Sequence, residues 1–197
     1  MKPNDPEMMP KLQKESEALF MKLCDSNNFA FLYIHQDLNT ISSKLWLDSK
    51  RPDFLVSLPY IGSFFFDVKA SRTVFFYEND YKKIGAKSPT IAFTFKYEEI
   101  IKFKNLYHGT ALPVWFAVFP TKENKDGQDQ VLEDEHLIPI DRIEKFIIDR
   151  HKSKEWPWIQ VPIICFVNSK NLTQNKCKDC DKRYCEKFED IINGKKR

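Results

Sequence analysis

The chain has 197 residues, 42% of them hydrophobic, enough for one sizeable core. Its 31 Lys and Arg against 28 Asp and Glu leave a formal charge of +3, which neither demands nor excludes nucleic acid, because a compensated chain can still gather its cations on one face. No stretch approaches the roughly 20 apolar residues of a membrane span, no Gly-x-x-x-x-Gly-Lys or Gly-x-Ser-x-Gly motif occurs, and the polar segment 1–10 with its three prolines leads us to expect an intracellular, cytoplasmic protein rather than a secreted or membrane one.

Residues 11–25 read as an amphipathic helix, with Leu12, Leu19, Phe20 and Leu23 at helical spacing and Pro10 before its start. Residues 29–34 follow as a strand. Residues 51–56 and 63–70 read as two more strands, separated by a turn containing Pro59, Tyr60 and Gly62. Arg72 to Phe76 continues or edges the sheet, and residues 77–89 are polar and irregular. Residues 95–108 form a second amphipathic helix through Ile100, Ile101, Phe103 and Leu106, with Gly109 as its stop. Residues 113–119 are a continuous apolar run, the mark of a strand buried on both faces. A polar loop over 121–130, a strand over 136–140, a helix over 141–150 with Asp141 as N-cap, and an edge strand over 158–167 interrupted by Pro162 complete the pattern. These elements make one domain over residues 1–170, followed by a Cys-rich tail over 171–197. Most of the 17 Phe fall in the apolar runs and belong to the core.

In the strand 63–70, Asp67 and Lys69 are two apart and share a face, while Phe64, Phe66 and Val68 share the other. Asp53, preceded by Pro52, interrupts the apolar pattern of the strand before it. Two carboxylates with an ammonium beside them are what a divalent-metal phosphodiesterase needs: hard oxygen ligands for Mg²⁺, and a cation to orient water or neutralise phosphate charge. The triplet acid-x-Lys recurs at Asp48-Ser49-Lys50, Asp80-Tyr81-Lys82 and Glu123-Asn124-Lys125, where polar surroundings read as solvated surface. Only Asp67-Val68-Lys69 lies inside an apolar strand with Pro-Asp at hairpin distance.

Pro52-Asp53 together with Asp67-Val68-Lys69 resembles the signature of the PD-(D/E)xK nuclease superfamily, which includes restriction enzymes, Holliday-junction resolvases and repair nucleases. The resemblance implies an α/β, restriction-endonuclease-like αβββαβ core, a central mixed sheet flanked by helices. It implies that Asp53 and Asp67 bind Mg²⁺ or Mn²⁺, with the Val68 carbonyl as a further ligand, and that Lys69 positions the attacking water. It also implies an acid on the opening helix. Glu17 is preferred over Glu15, because it shares a stripe with Phe20, Met21 and Cys24 and so points towards the core. Lys96 and Lys102 on the second helix are candidate phosphate contacts, with an ordinary solvated lysine as the better reading of either alone.

The tail places Cys177, Cys180 and Cys185 within nine residues, and a Cys-x2-Cys pair lets one loop offer two thiolates to a metal. A structural Zn²⁺ is the broader expectation. A [4Fe–4S] cluster is the sharper one, by resemblance to iron–sulfur nucleases of the same superfamily, and three reduced thiols are the plain alternative. Cys24, Cys165, His35 and His151 are all open as a fourth ligand.

The expected function is divalent-metal-dependent hydrolysis of phosphodiester bonds in nucleic acid, DNA first, at a nucleoid or nuclear location where the target is chromosomal. A homodimer or a larger repair or defence complex is the expected assembly. The alternative is a catalytically inactive nucleic-acid- or protein-binding module with a structural metal site.

Overall fold

The computed structural model describes residues 8–34, 49–58, 62–76, 90–125, 127–147 and 157–169. Helix α1 (Met8–Ser26) buries Leu12, Ser16, Phe20 and Cys24, four residues apart along one stripe. It tolerates Pro10 because its first turn needs no backbone donor there. Asn28, with φ 56°, ends it: the left-handed turn brings the Phe29 N–H to the Cys24 carbonyl at 2.9 Å.

Strands β1 (Ala30–Tyr33), β2 (Phe54–Leu58) and β3 (Gly62–Arg72) are antiparallel neighbours. β3 then pairs in parallel with β6 (Val114–Glu123). On the far side of β6, its upper end meets β7 (Asp129–Val131) and its first half meets β8 (His136–Pro139), both antiparallel. The result is a mixed sheet in the order β1-β2-β3-β6-β7, with β8 also against β6. After Arg72 the chain leaves this sheet. β4 (Val74–Phe76), β5 (Thr90–Lys96) and β9 (Trp158–Pro162) form a second, three-stranded antiparallel sheet in the order β4-β5-β9. Helix α2 (Tyr97–Thr110) and the short α3 (Ile140–Glu144) complete the description.

β6 is buried over its first eight residues, and its side chains alternate between two cores. Trp115, Ala117 and Phe119 join Phe20, Phe54, Phe66 and Val68 beneath α1. Val114, Phe116 and Val118 join Phe93, Phe95, Ile100, Phe103 and Ile159 beneath α2 and the small sheet. The expected α/β core, with helices on both faces of a central mixed sheet, is therefore present, and its opening order α1-β1-β2-β3 and closing α2-β6 follow the expected αβββαβ sequence.

The details depart from the sequence reading in several places, among them the helix expected over 141–150, which ends at Glu144, and the strand expected over 158–167, which ends at Pro162 and gives way to a 3-10 turn over Ile163–Cys165. Residues 90–96 are a strand, so α2 starts at Tyr97 rather than at residue 95: Phe93 and Phe95 share the inward face of β5 with two-residue spacing, a period masked by the apolar helix that follows. The helix also passes Gly109 and stops against Ala111, which takes φ 57°. Asp141 is not an N-cap; Pro139 holds that position and Asp141 lies in the first turn. The loop read over 121–130 is partly strand, since β6 runs to Glu123 and folds back onto β7.

Candidate active site

The β2–β3 ladder ends at a side chain. Phe54 faces Phe66, the Asp53 N–H donates to the Phe66 carbonyl at 2.9 Å, and one more pairing would need the backbone of Pro52, which carries no N–H. The Asp53 carboxylate steps in, its Oδ2 accepting from the Val68 N–H at 2.7 Å. Beyond this point β3 continues along β6 alone, and the Val68 carbonyl turns to α1, where Gln13 Nε2 donates to it at 2.8 Å. Gln13 Nε2 also lies 2.9 Å from Glu17 Oε1, and the Tyr33 hydroxyl donates to Glu17 Oε2 at 3.4 Å.

On the other face of β3, Asp67 is buried at 2% exposure. Its Oδ2 stands 2.8 Å from Lys69 Nζ, and its Oδ1 3.3 Å from Lys50 Nζ. The two ammonium groups meet again at Glu99 in the first turn of α2: Lys69 Nζ is 2.7 Å from Glu99 Oε1, and Lys50 Nζ bonds the same oxygen. Two acids and two lysines thus alternate in one partly buried network. The lysine heads also sit over aromatic rings, Lys69 5.5 Å from the Phe116 centroid and Lys50 5.1 Å from that of Phe103.

The electrostatics of the two halves differ. Burial and the nearby Asp67 charge push the Asp53 carboxyl up to about 7, with the Val68 N–H and Lys50 only partly offsetting them. Lys69 goes the other way from a simple buried amine: burial acts against its charge, but Asp67 and Glu99 outweigh it and hold its pKa above the ordinary lysine value. Burial likewise opposes the Glu99 charge, and Lys69 and Lys50 overcome it and lower its pKa. Lys69 is therefore a permanent cation at neutral pH, a donor rather than a base.

Asp53, Asp67, Val68 and Lys69 are gathered where β2 parts from β3, and Glu17 reaches the same neighbourhood from α1 through Gln13. Glu17 is half-buried beside the α1 stripe rather than inside it. Lys50, Glu99 and Gln13 escaped the sequence reading. Lys50 belongs to an acid-x-Lys triplet that reads as solvated surface, and Glu99 looks like an ordinary helix-start acid. Lys96 lies 5.7 Å over the exposed Trp158 ring and Lys102 is exposed, so neither enters the network. Cys24 is a poor metal ligand: burial, helped by Asp25, pushes its thiol up to about 12 within an apolar cluster. Cys177, Cys180 and Cys185, with His35 and His151, lie outside the described residues.

Among the described residues no three His, Cys, Asp or Glu side chains converge as a ready ligand set. The donors nevertheless suit a hard divalent cation in kind, being carboxylate oxygens and a carbonyl, and burial followed by the Asp67 charge raises the Asp53 carboxyl. No helix among the described residues is long and apolar enough to cross a membrane.

Among solved structures, the chain is similar to Hjc, a Holliday junction resolvase from the archaeal hyperthermophile Archaeoglobus fulgidus, at 9% identity and a TM-score of 0.42, over 76% of this chain and 87% of that one. No protein-family model matches the chain, and no curated protein does.

Proposed function

We propose that the chain is a divalent-metal-dependent nuclease that hydrolyses phosphodiester bonds in nucleic acid, with DNA as its substrate. What carries the reading is the meeting of Asp53, Asp67 and Lys69 at the end of the β2–β3 ladder, on the residues that resemble the PD-(D/E)xK signature. Asp53 and Asp67 would hold Mg²⁺ or Mn²⁺, with the Val68 carbonyl and Glu17 as further ligands. Such an ion, when bound, lowers the pKa of a coordinated water and offsets charge on the phosphate.

The chain's own residues define the rest. Lys69, kept cationic by Asp67 and Glu99, donates to the attacking water or to a phosphate oxygen and does not abstract a proton. The Phe116 ring beneath its ammonium and the burial of Asp67 keep bulk water from screening that donation. Gln13 holds both Glu17 and the Val68 carbonyl, so it fixes the α1 side of the site against β3, and the second lone pair of that carbonyl is the one that would serve a cation.

The test is cleavage of labelled DNA and RNA with and without Mn²⁺ or Mg²⁺, beside Asp67→Asn, which keeps the side chain's shape. The expected result is metal-dependent cleavage of DNA that falls by roughly a thousandfold in the variant, the scale set by losing a principal electrostatic group. Equal activity in the variant would sink the assignment. The same protein's metal content tests the proposed structural Zn²⁺ or cluster at Cys177, Cys180 and Cys185.

A second reading, a binding module without catalysis, draws on the ammonium groups at both Asp67 oxygens and the amide at the Val68 carbonyl. Nucleic-acid binding with neither cleavage nor Mn²⁺ uptake would select it.

A further inference from the structure

Lys50 is the least expected member of the site, and its position poses a question about charge. Asp67 is buried and meets an ammonium at each oxygen, yet the two lysines are not equivalent. Lys69 is rooted on the same strand, is 18% exposed, and touches Asp67 at 2.8 Å and Glu99 at 2.7 Å. Lys50 comes from the segment before β2, is 38% exposed, and stands off Asp67 Oδ1 at a looser 3.3 Å while bonding Glu99 closely. Its charge also reaches Asp53, whose carboxyl it helps to keep ionised. The ammonium therefore lies beside one carboxylate and within the field of the other, where a cation shared by Asp53 and Asp67 would have to act.

We propose that Lys50 is a resident counter-ion of the candidate metal site, displaced from Asp67 when a divalent cation binds and retained by Glu99 after displacement. The proposal rests on the nuclease reading's assignment of Asp53 and Asp67 as the cation's ligands. Glu99 is a positioning residue in this scheme. It already accepts from both lysines, so it keeps Lys69 beside the site and holds the released Lys50 near it when Asp67 turns to the incoming ion. Two like-charged ammonium groups stay close because this carboxylate and that of Asp67 lie between them. The Lys50 side chain, 38% exposed, leaves the swing to solvent open, whereas Lys69 is 18% exposed and rooted on β3 itself.

Two consequences distinguish this arrangement from a passive salt bridge. Removing Lys50 takes away a competitor for Asp67 and tightens cation binding. Removing the Glu99 charge leaves both ammonium groups to Asp67 alone and weakens it.

The experiment is calorimetric titration of Mn²⁺ into the full chain and into Lys50→Met, Lys50→Gln, Glu99→Gln and Asp67→Asn, with thermal unfolding followed by circular dichroism to confirm that each is folded. Lys50→Met and Lys50→Gln are expected to bind Mn²⁺ about tenfold more tightly, the scale of a half-screened ion pair removed from competition. Glu99→Gln is expected to bind several-fold more weakly. Unchanged or weaker binding in both Lys50 variants, with a wild type whose Mn²⁺ binding is lost in Asp67→Asn, overturns the counter-ion role and leaves the metal reading intact. Absence of Mn²⁺ binding in the wild type and both Lys50 variants overturns the metal reading and the counter-ion role together.

Discussion

Asp53 titrates where most aspartates do not. Its folded-state carboxyl sits at about 7, against an ordinary value of 3.8, chiefly through burial and then through Asp67. Between those values the native chain binds a proton that the unfolded chain does not, so this group's contribution is full below about pH 4 and is lost as pH rises through 7. In metal-free buffer, stability is expected to fall by on the order of 2 kcal/mol from pH 5 to pH 8, measured by urea unfolding. In Asp53→Asn that slope should vanish. A wild-type profile that is flat, or one that rises, would show that Lys50 and the Val68 N–H neutralise the carboxylate completely. The sequence exposed this residue clearly, because an acid after proline in an apolar strand is conspicuous. It could not expose Lys50, since the same acid-x-Lys pattern recurs in polar surroundings along the sequence and only tertiary packing brings Lys50 against a buried carboxylate.

At the scale of elements, what was legible tracks periodicity. The α1 stripe, the β2 and β3 strands and the buried run of β6 each repeat with one clean period, and each is found within a few residues of its expected bounds. β5 was lost because its alternation runs without a break into the apolar face of α2. The end of that helix offers a direct check. Gly109 looks like a stop, but the chain spends its left-handed conformation on Ala111, at φ 57°, with its N–H bonded to the Tyr107 carbonyl at 2.8 Å. A Cβ is disfavoured there, so Ala111→Gly is expected to stabilise the protein by about 0.5–1 kcal/mol, against the loss that glycine causes inside a helix. A lower melting temperature would mean that the helix continues past Thr110 in solution.

For the molecule as a whole, the decisive fact is that one strand serves both cores. Phe116 is fully buried and packs edge-on to Phe95 and Phe103, 5.1 and 5.2 Å between centroids, while its neighbours Trp115 and Ala117 face the opposite core. Neither core can melt without loosening β6, so the described residues should unfold in one transition. Phe116→Ala is expected to cost about 3–5 kcal/mol and to shift fluorescence and far-ultraviolet circular dichroism together. Separate midpoints for the two signals would show that the cores are independent. The overall α/β class was legible because layer architecture follows from the alternation of strands and helices. The division into two sheets was not, since nothing local in Thr73 says that the chain changes partners there.

The parallel pairing of β3 with β6 also sets an order in time. Phe65 faces Val114 and Lys69 faces Val118, partners roughly fifty residues apart in the chain, so this contact closes late and slowly. When the ribosome has released only β1 to β3, Asp53 and Asp67 can already meet across a local hairpin, but Glu99 has not been made and the ring of Phe116 is not yet beneath Lys69. A nascent chain at that stage carries the acids of the site without its bracing or its shelter from water. The candidate site thus stays incomplete until the second half has been synthesised and docked.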